Sequence, residues 1–161
     1  RDGFHDQSVG GTVELRDDGS PLLDYPISDY VLDGARRSML AMAQIQLEAG
    51  ATMVYAGHEL AGGTSTWAAT KAAIEALPMK PLLTKIGSAH VMGGCGLGGD
   101  DKLGVTRPDG VHWQLENLSI HDGSLFPTSI GANPQLSIYG NVNRLAQGLA
   151  KRLSGKDVLL A

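Results

Sequence analysis

The chain is short of several things, and each shortage removes a class of protein. Of its 161 residues only Cys95 is a cysteine, which excludes an internal disulfide framework and a cysteine-rich metal cluster. Aromatic residues make up 5% and are scattered, so Trp67, Trp113 and the tyrosines offer no platform for stacking a sugar ring. Positive charge is not in excess: the formal net charge is -4, which argues against nucleic acid as a partner. No apolar run approaches the ~20 residues needed to span a bilayer. No basic-then-apolar leader precedes the first glycine, and nothing in these residues chooses between cytoplasm and periplasm. His5, His58 and His112 stand at no spacing that gathers metal ligands, so no metal is assigned. No G-x-S-x-G surrounds Ser124 or Ser129, which removes a nucleophile elbow.

What remains is ordinary globular composition, 42% hydrophobic and 19% charged, in a chain long enough for one domain with a core. Thr12 to Leu15 and Pro21 to Tyr25 read as two strands joined by Asp17-Asp18-Gly19-Ser20, a hairpin. Ser28 or Asp29 then caps a helix whose apolar positions Val31, Leu32, Ala35, Met39, Met42, Ala43 and Leu47 recur every three or four residues, and Gly50 ends it. Ala51 to Ala56 reads as a buried strand. Thr64 or Ser65 caps a second helix from Trp67 to Leu77, stopped by Pro78. This first part is therefore α+β.

Residues 87–104 hold seven glycines and little periodicity, which reads as a loop whose backbone passes close to something. Gly94 to Gly99 matches G-x-G-x-x-G by letter. The match is not a dinucleotide fingerprint, because Asp100-Asp101-Lys102 follows it where a helix would have to begin. Pro108-Asp109-Gly110 turns the chain toward a short strand, Asn117 to His121. Asn133 as N-cap and Pro134 as first helical residue open a last helix, with Leu136, Ile138, Val142, Leu145, Leu149 and Leu153 carrying its apolar pattern to about Gly155.

Three segments carry chemistry. His90-Val91-Met92-Gly93-Gly94 sets an imidazole, whose ordinary titration lies near neutrality, before a glycine run that admits a planar ligand. Asp122-Gly123 ends a strand with a carboxylate beside a residue that has no side chain to block a ligand. By strand alternation His121 points away from Asp122 and is structural. Asn133-Pro134 then places the free N–H groups of a helix start toward whatever lies before it.

In this order the segments resemble the C-terminal signature of the glucose-methanol-choline flavoprotein oxidoreductases: H-x-x-G-G, then D-G-S-x-x-P-T from Asp122 to Thr128, then an N-P pair. The resemblance is specific over residues 88–150 and weaker before them. It implies FAD as cofactor, contacted by Asp122, Gly123, Asn133, Pro134, Gln135 and Leu136, and an alcohol as substrate. His90 would be the base that takes the hydroxyl proton, and Asn133 would orient the same oxygen. It also implies a fold: residues 1–89 belong to an antiparallel-sheet substrate-binding domain with helices. Residues 90–161 supply the active-site loop and the returning strand and final helix of a Rossmann-like FAD-binding domain. The phosphate turn of that domain does not occur near Arg1-Asp2-Gly3, so the chain reads as the C-terminal portion of a larger enzyme, with the N-terminal FAD-binding portion as its partner. Two other readings stay open. A lyase on the same scaffold, such as a hydroxynitrile lyase, would keep both active-site residues, and a non-catalytic interaction module would need neither.

Overall fold

A computed structural model describes residues 10–157. They divide into two compact units, one running to Gly87 and the other starting at Ser88.

In the first unit β1 (Thr12–Leu15) pairs antiparallel with β2 (Pro21–Asp24), Thr12 opposite Asp24 and Leu15 opposite Pro21. The hairpin closes because Gly19 adopts φ +78° and the Asp18 carboxylate accepts the Ser20 N–H at 2.9 Å. Both strands are exposed along their length. Helix α1 (Asp29–Glu48) starts at Ser28, whose hydroxyl accepts the Val31 N–H, and its stripe buries Leu32, Met39 and Ala43. Gly50 follows it at φ +94°.

The strand expected over Ala51 to Ala56 is shorter, β3 (Val54–Tyr55), and its partner β4 (Gly63–Thr64) has no sequence signal of its own. Helix α2 (Trp67–Ala76) is capped by Thr66, whose hydroxyl accepts the Ala69 N–H. The cap lies beyond the expected Thr64 or Ser65 because Thr64 is held in β4, its hydroxyl paired with that of Thr70 at 2.7 Å.

Met39, Ala43, Val54 and Ile74 form the core of this unit, with Leu47, Ala56 and Met79 against it. Full burial of an apolar side chain of the Val, Ile or Met size contributes roughly 1.5–3 kcal/mol. Helix α2 has no basic residue in its last turn. Arg36 of α1 supplies one, donating to the carbonyls of Ile74 (3.0 Å), Glu75 (2.8 Å) and Leu77 (3.1 Å), at the negative end of the helix. Buried His58 donates from Nε2 to the Pro78 carbonyl at 2.9 Å and accepts the Leu60 N–H at Nδ1. Both ring nitrogens are engaged by backbone, which makes it a structural pin. A cavity of about 100 Å³ beside α2 is lined by Leu60, Thr70, Ile74 and their neighbours and has no titratable wall.

The second unit is built from short extended strips and one long helix. Leu97 bridges to Thr106, Thr106 to His112, and Val111 to Ser119. The strand expected from Asn117 to His121 is reduced to that last bridge, with His112 N–H donating to Leu118 and Ile120 N–H to Gly110 beside it. Helix α3 (Gln135–Ser154) ends at Gly155, which takes φ +70° and donates its N–H to the Lys151 carbonyl. Its buried Leu145 packs on Gly110, where an added Cβ would lie 3.2 Å from the Leu145 methyl. Arg144 donates to the Pro108 carbonyl and Arg152 pairs with Asp109, so α3 from its middle to its last turn grips the Pro108-Asp109-Gly110 turn. Leu136 and Leu153, counted in the apolar stripe from sequence, lie exposed at the two ends of the helix. Helices with small antiparallel pairs make the architecture α+β. Among the described residues no helix is long and apolar enough to cross a membrane.

Candidate active site

Three segments far apart in sequence meet at Gly123. The backbone after His90 runs alongside the Asp122 turn: Gly93 N–H donates to the Gly123 carbonyl (3.4 Å), Cys95 N–H to Ser124 (3.0 Å) and Leu97 N–H to Leu125 (3.1 Å). From the other side the first turns of α3 reach the same residue. A Cβ at Gly123 would lie 3.2 Å from Ile138 Cδ1 and 3.5 Å from the Val91 carbonyl oxygen. A side chain here would crowd the loop and the helix, and Ile138 would have to give by a few tenths of an ångström. Gly93 and Gly94 stand at φ +89° and +97°, a backbone region that other residues enter only at a cost.

His90 is exposed. Its backbone N–H is fixed by the Ser88 hydroxyl at 3.0 Å, and its ring has no hydrogen-bond partner among the described residues. Asp122 caps the short 3-10 turn Gly123–Leu125. One carboxylate oxygen accepts both the Ser124 N–H (2.8 Å) and the Ser124 hydroxyl (2.5 Å). The Ser124 side-chain bond, then its backbone bond, hold the Asp122 carboxyl below the usual carboxylate range, so it is an anion at neutral pH. Its second oxygen makes no bond to the described residues, and it suits a hydroxyl donor better than a phosphate of like charge.

The start of α3 corrects the sequence reading. Ile138 N–H takes the Pro134 carbonyl at 2.9 Å, and Pro134, in a helical conformation, occupies the cap position with no side-chain cap bond. Asn133 therefore precedes the cap, and its amide is exposed with no bond to the described residues. The first turn of α3 holds no acidic side chain. The N–H groups of Gln135 and Leu136 are left for an acceptor from outside the helix. His121, expected to be structural, is partly buried, and its Nε2 is buried without a partner among the described residues.

An open groove of about 570 Å³ runs along the glycine loop, lined by Leu97, Lys102, Leu103, His112, Gln114 and Phe126 among others. Neither His90 nor Asn133 lines it. Among the described residues no three His, Cys, Asp or Glu side chains gather as metal ligands. Two contributors escaped sequence reading. Ser124 fixes the Asp122 carboxylate, and the D-x-S spacing of an Asx turn was its available signal. Thr106 ties the glycine loop from behind, and nothing local marks it.

A family model described as GMC oxidoreductase matches residues 6–141. Long-chain-alcohol oxidase FAO4A of Arabidopsis thaliana is 29% identical over 128 residues, 75% of this chain and 18% of that protein. Long-chain-alcohol oxidase FAO1 of the same plant is 27% identical over 130 residues, 78% of this chain and 15% of that protein. This chain thus spans less than a fifth of the length of the curated relatives it matches. No solved structure matches it.

Proposed function

The chain belongs to the GMC oxidoreductase family, and from that membership we propose that it forms the substrate-side part of an FAD-dependent alcohol oxidase. The observation that carries the reading is the meeting of the His90 loop, the Asp122 turn and the first turns of α3 at Gly123.

These residues suit a flavin. The unoccupied N–H groups of Gln135 and Leu136, with no acidic side chain in their turn, would face the electron-rich pyrimidine edge, as helix N-termini receive anions. The free oxygen of Asp122 would accept a ribityl hydroxyl, and Gly123 keeps the approach clear. Asn133 and Pro134 would bring the helix start against the ring. When bound, the flavin supplies the acceptor for the hydride that leaves the alcohol carbon.

His90 takes the hydroxyl proton as that bond breaks, a role that needs a base positioned at the oxygen. Asn133 cannot take a proton but can donate an N–H to the same oxygen, which places the base role on His90 alone. Val91 and Leu136 expose apolar surface on these same segments, 77% and 83% accessible. That surface suits an alkyl chain better than a sugar. The relatives' substrate class, a long-chain alcohol, is accordingly the first to try. In this reading residues 1–89, with their exposed hairpin, are part of a substrate-binding domain. Residues 90–161 return the chain to the FAD-binding portion through the Asn117 to His121 strip and α3.

The test is anaerobic. A long-chain primary alcohol added to the flavin-bound full-length protein is expected to bleach the oxidised flavin and yield one aldehyde per flavin. Consumption of substrate with the flavin spectrum unchanged would assign a lyase on this scaffold, and no consumption at all would leave an interaction module.

A further inference from the structure

Thr106 has no exposed surface, and its polar atoms all go to one place. Its hydroxyl lies 3.2 Å from the Cys95 carbonyl and 3.3 Å from that of Gly96, and it donates between them. Its N–H donates to Gly96 at 3.2 Å, and its carbonyl accepts the Gly98 N–H at 2.9 Å. The same loop residues use their other edge on the Asp122 turn, Cys95 N–H to Ser124 and Leu97 N–H to Leu125. Residues 95–98 are thus the middle of three strips, held on both sides. Behind them Gly98 and Gly104 meet backbone to backbone, where a Cβ on either would lie 2.4 Å from the other's nitrogen.

Such a loop has no freedom to slide. We propose that Thr106 is a positioning residue for the reaction: it sets the register of Cys95 to Gly98 against Ser124 and Leu125, and through that loop the placement of the segment that carries His90, whose Gly93 N–H is tied to the Gly123 carbonyl. The proposal rests on the reading of His90 as the base. Replacing the hydroxyl by a methyl strands the Cys95 carbonyl, which has no other partner among the described residues, inside the unit. The loop then relaxes toward another donor and carries His90 with it. Misplacement of a catalytic group by about 1 Å lowers turnover by up to about 100-fold without touching the chemistry itself.

The experiment is a double-mutant cycle in the flavin-bound full-length protein with an alcohol substrate. Thr106→Val is expected to lower kcat on the order of 10- to 100-fold with KM and flavin content near the parent's. Thr106→Ser, which keeps the hydroxyl, is expected to recover most of that loss. In a His90→Ala background the same Thr106→Val change is expected to add nothing, since it acts through the missing group. Parental kcat in Thr106→Val, or an equal loss with His90 absent, overturns the proposal while the His90 reading stands. Parental kcat in His90→Ala alone overturns both. Should Thr106→Val lose its flavin, Thr106→Ser carries the test, and a serine variant as impaired as His90→Ala contradicts the role of the hydroxyl.

Discussion

Replacing His90 with alanine in the flavin-bound full-length protein is expected to lower kcat/KM for alcohol on the order of 100- to 10,000-fold, the usual contribution of a positioned general base. The flavin content is expected to be unchanged. The imidazole is exposed and bonds to none of the described residues, while the backbone on either side is held by Ser88 and by Gly123. Removing the ring therefore removes a proton acceptor and leaves the loop in place. Steady-state kinetics with flavin quantification check this. A drop below about threefold, far under the range for a general base, takes His90 out of the mechanism. Loss of flavin along with activity makes it a structural residue of the glycine loop.

Asn133→Asp is expected to be worse for turnover than Asn133→Ala, and the structure makes this comparison cleaner than the sequence did. The Asn133 amide makes no cap bond, so neither change removes a hydrogen bond from α3. An aspartate near the helix start would even stabilise it by about 0.3–1 kcal/mol. If Asn133 donates to the substrate oxygen as proposed, alanine deletes that donor, with an expected loss of about 100- to 1,000-fold in kcat where such a donor meets developing negative charge. Aspartate deletes the donor and adds a like charge, and charges in a water-poor site interact far more strongly than in bulk water. The flavin reduction potential is expected to fall as well. An Asn133→Asp protein with parental activity and parental potential would show that Asn133 does not face the site.

Much of the fold was legible because it is local. The Asp17 to Ser20 turn, the α1 stripe apart from Met42, which lies 53% exposed, the stop of α2 before Pro78, Ser28 as a cap, and Gly50 and Gly155 as helix ends all depend on neighbours within a turn or two. Segments whose conformation depends on distant partners were read poorly. Val54 and Tyr55 are a strand only as far as Gly63 and Thr64 pair with them, and Asn117 to His121 keeps a single bridge because Val111 is its only ladder partner among the described residues. Asn133-Pro134 has the letters of a cap and first helical residue, but the first helical hydrogen bond falls on the Pro134 carbonyl and moves the start by one.

The candidate site divides in the same way. The order of His90, Asp122-Gly123 and Asn133-Pro134 could be read as a family signature, and the approach of Val91, Gly93 and Ile138 to Gly123 could not be measured until the loop and helix were placed. Thr106 was invisible: a buried threonine bonded to residues ten and eleven positions away has no periodicity to betray it.

The most direct measurement is a crystal structure of the full-length protein with flavin and an alcohol analogue bound. The N–H groups of Gln135 and Leu136 are expected at hydrogen-bond distance from the pyrimidine ring, a ribityl hydroxyl on Asp122, and the His90 ring and the Asn133 amide on the same analogue oxygen. A structure with the α3 N-terminus in bulk solvent, or with His90 turned away from the analogue, would contradict it.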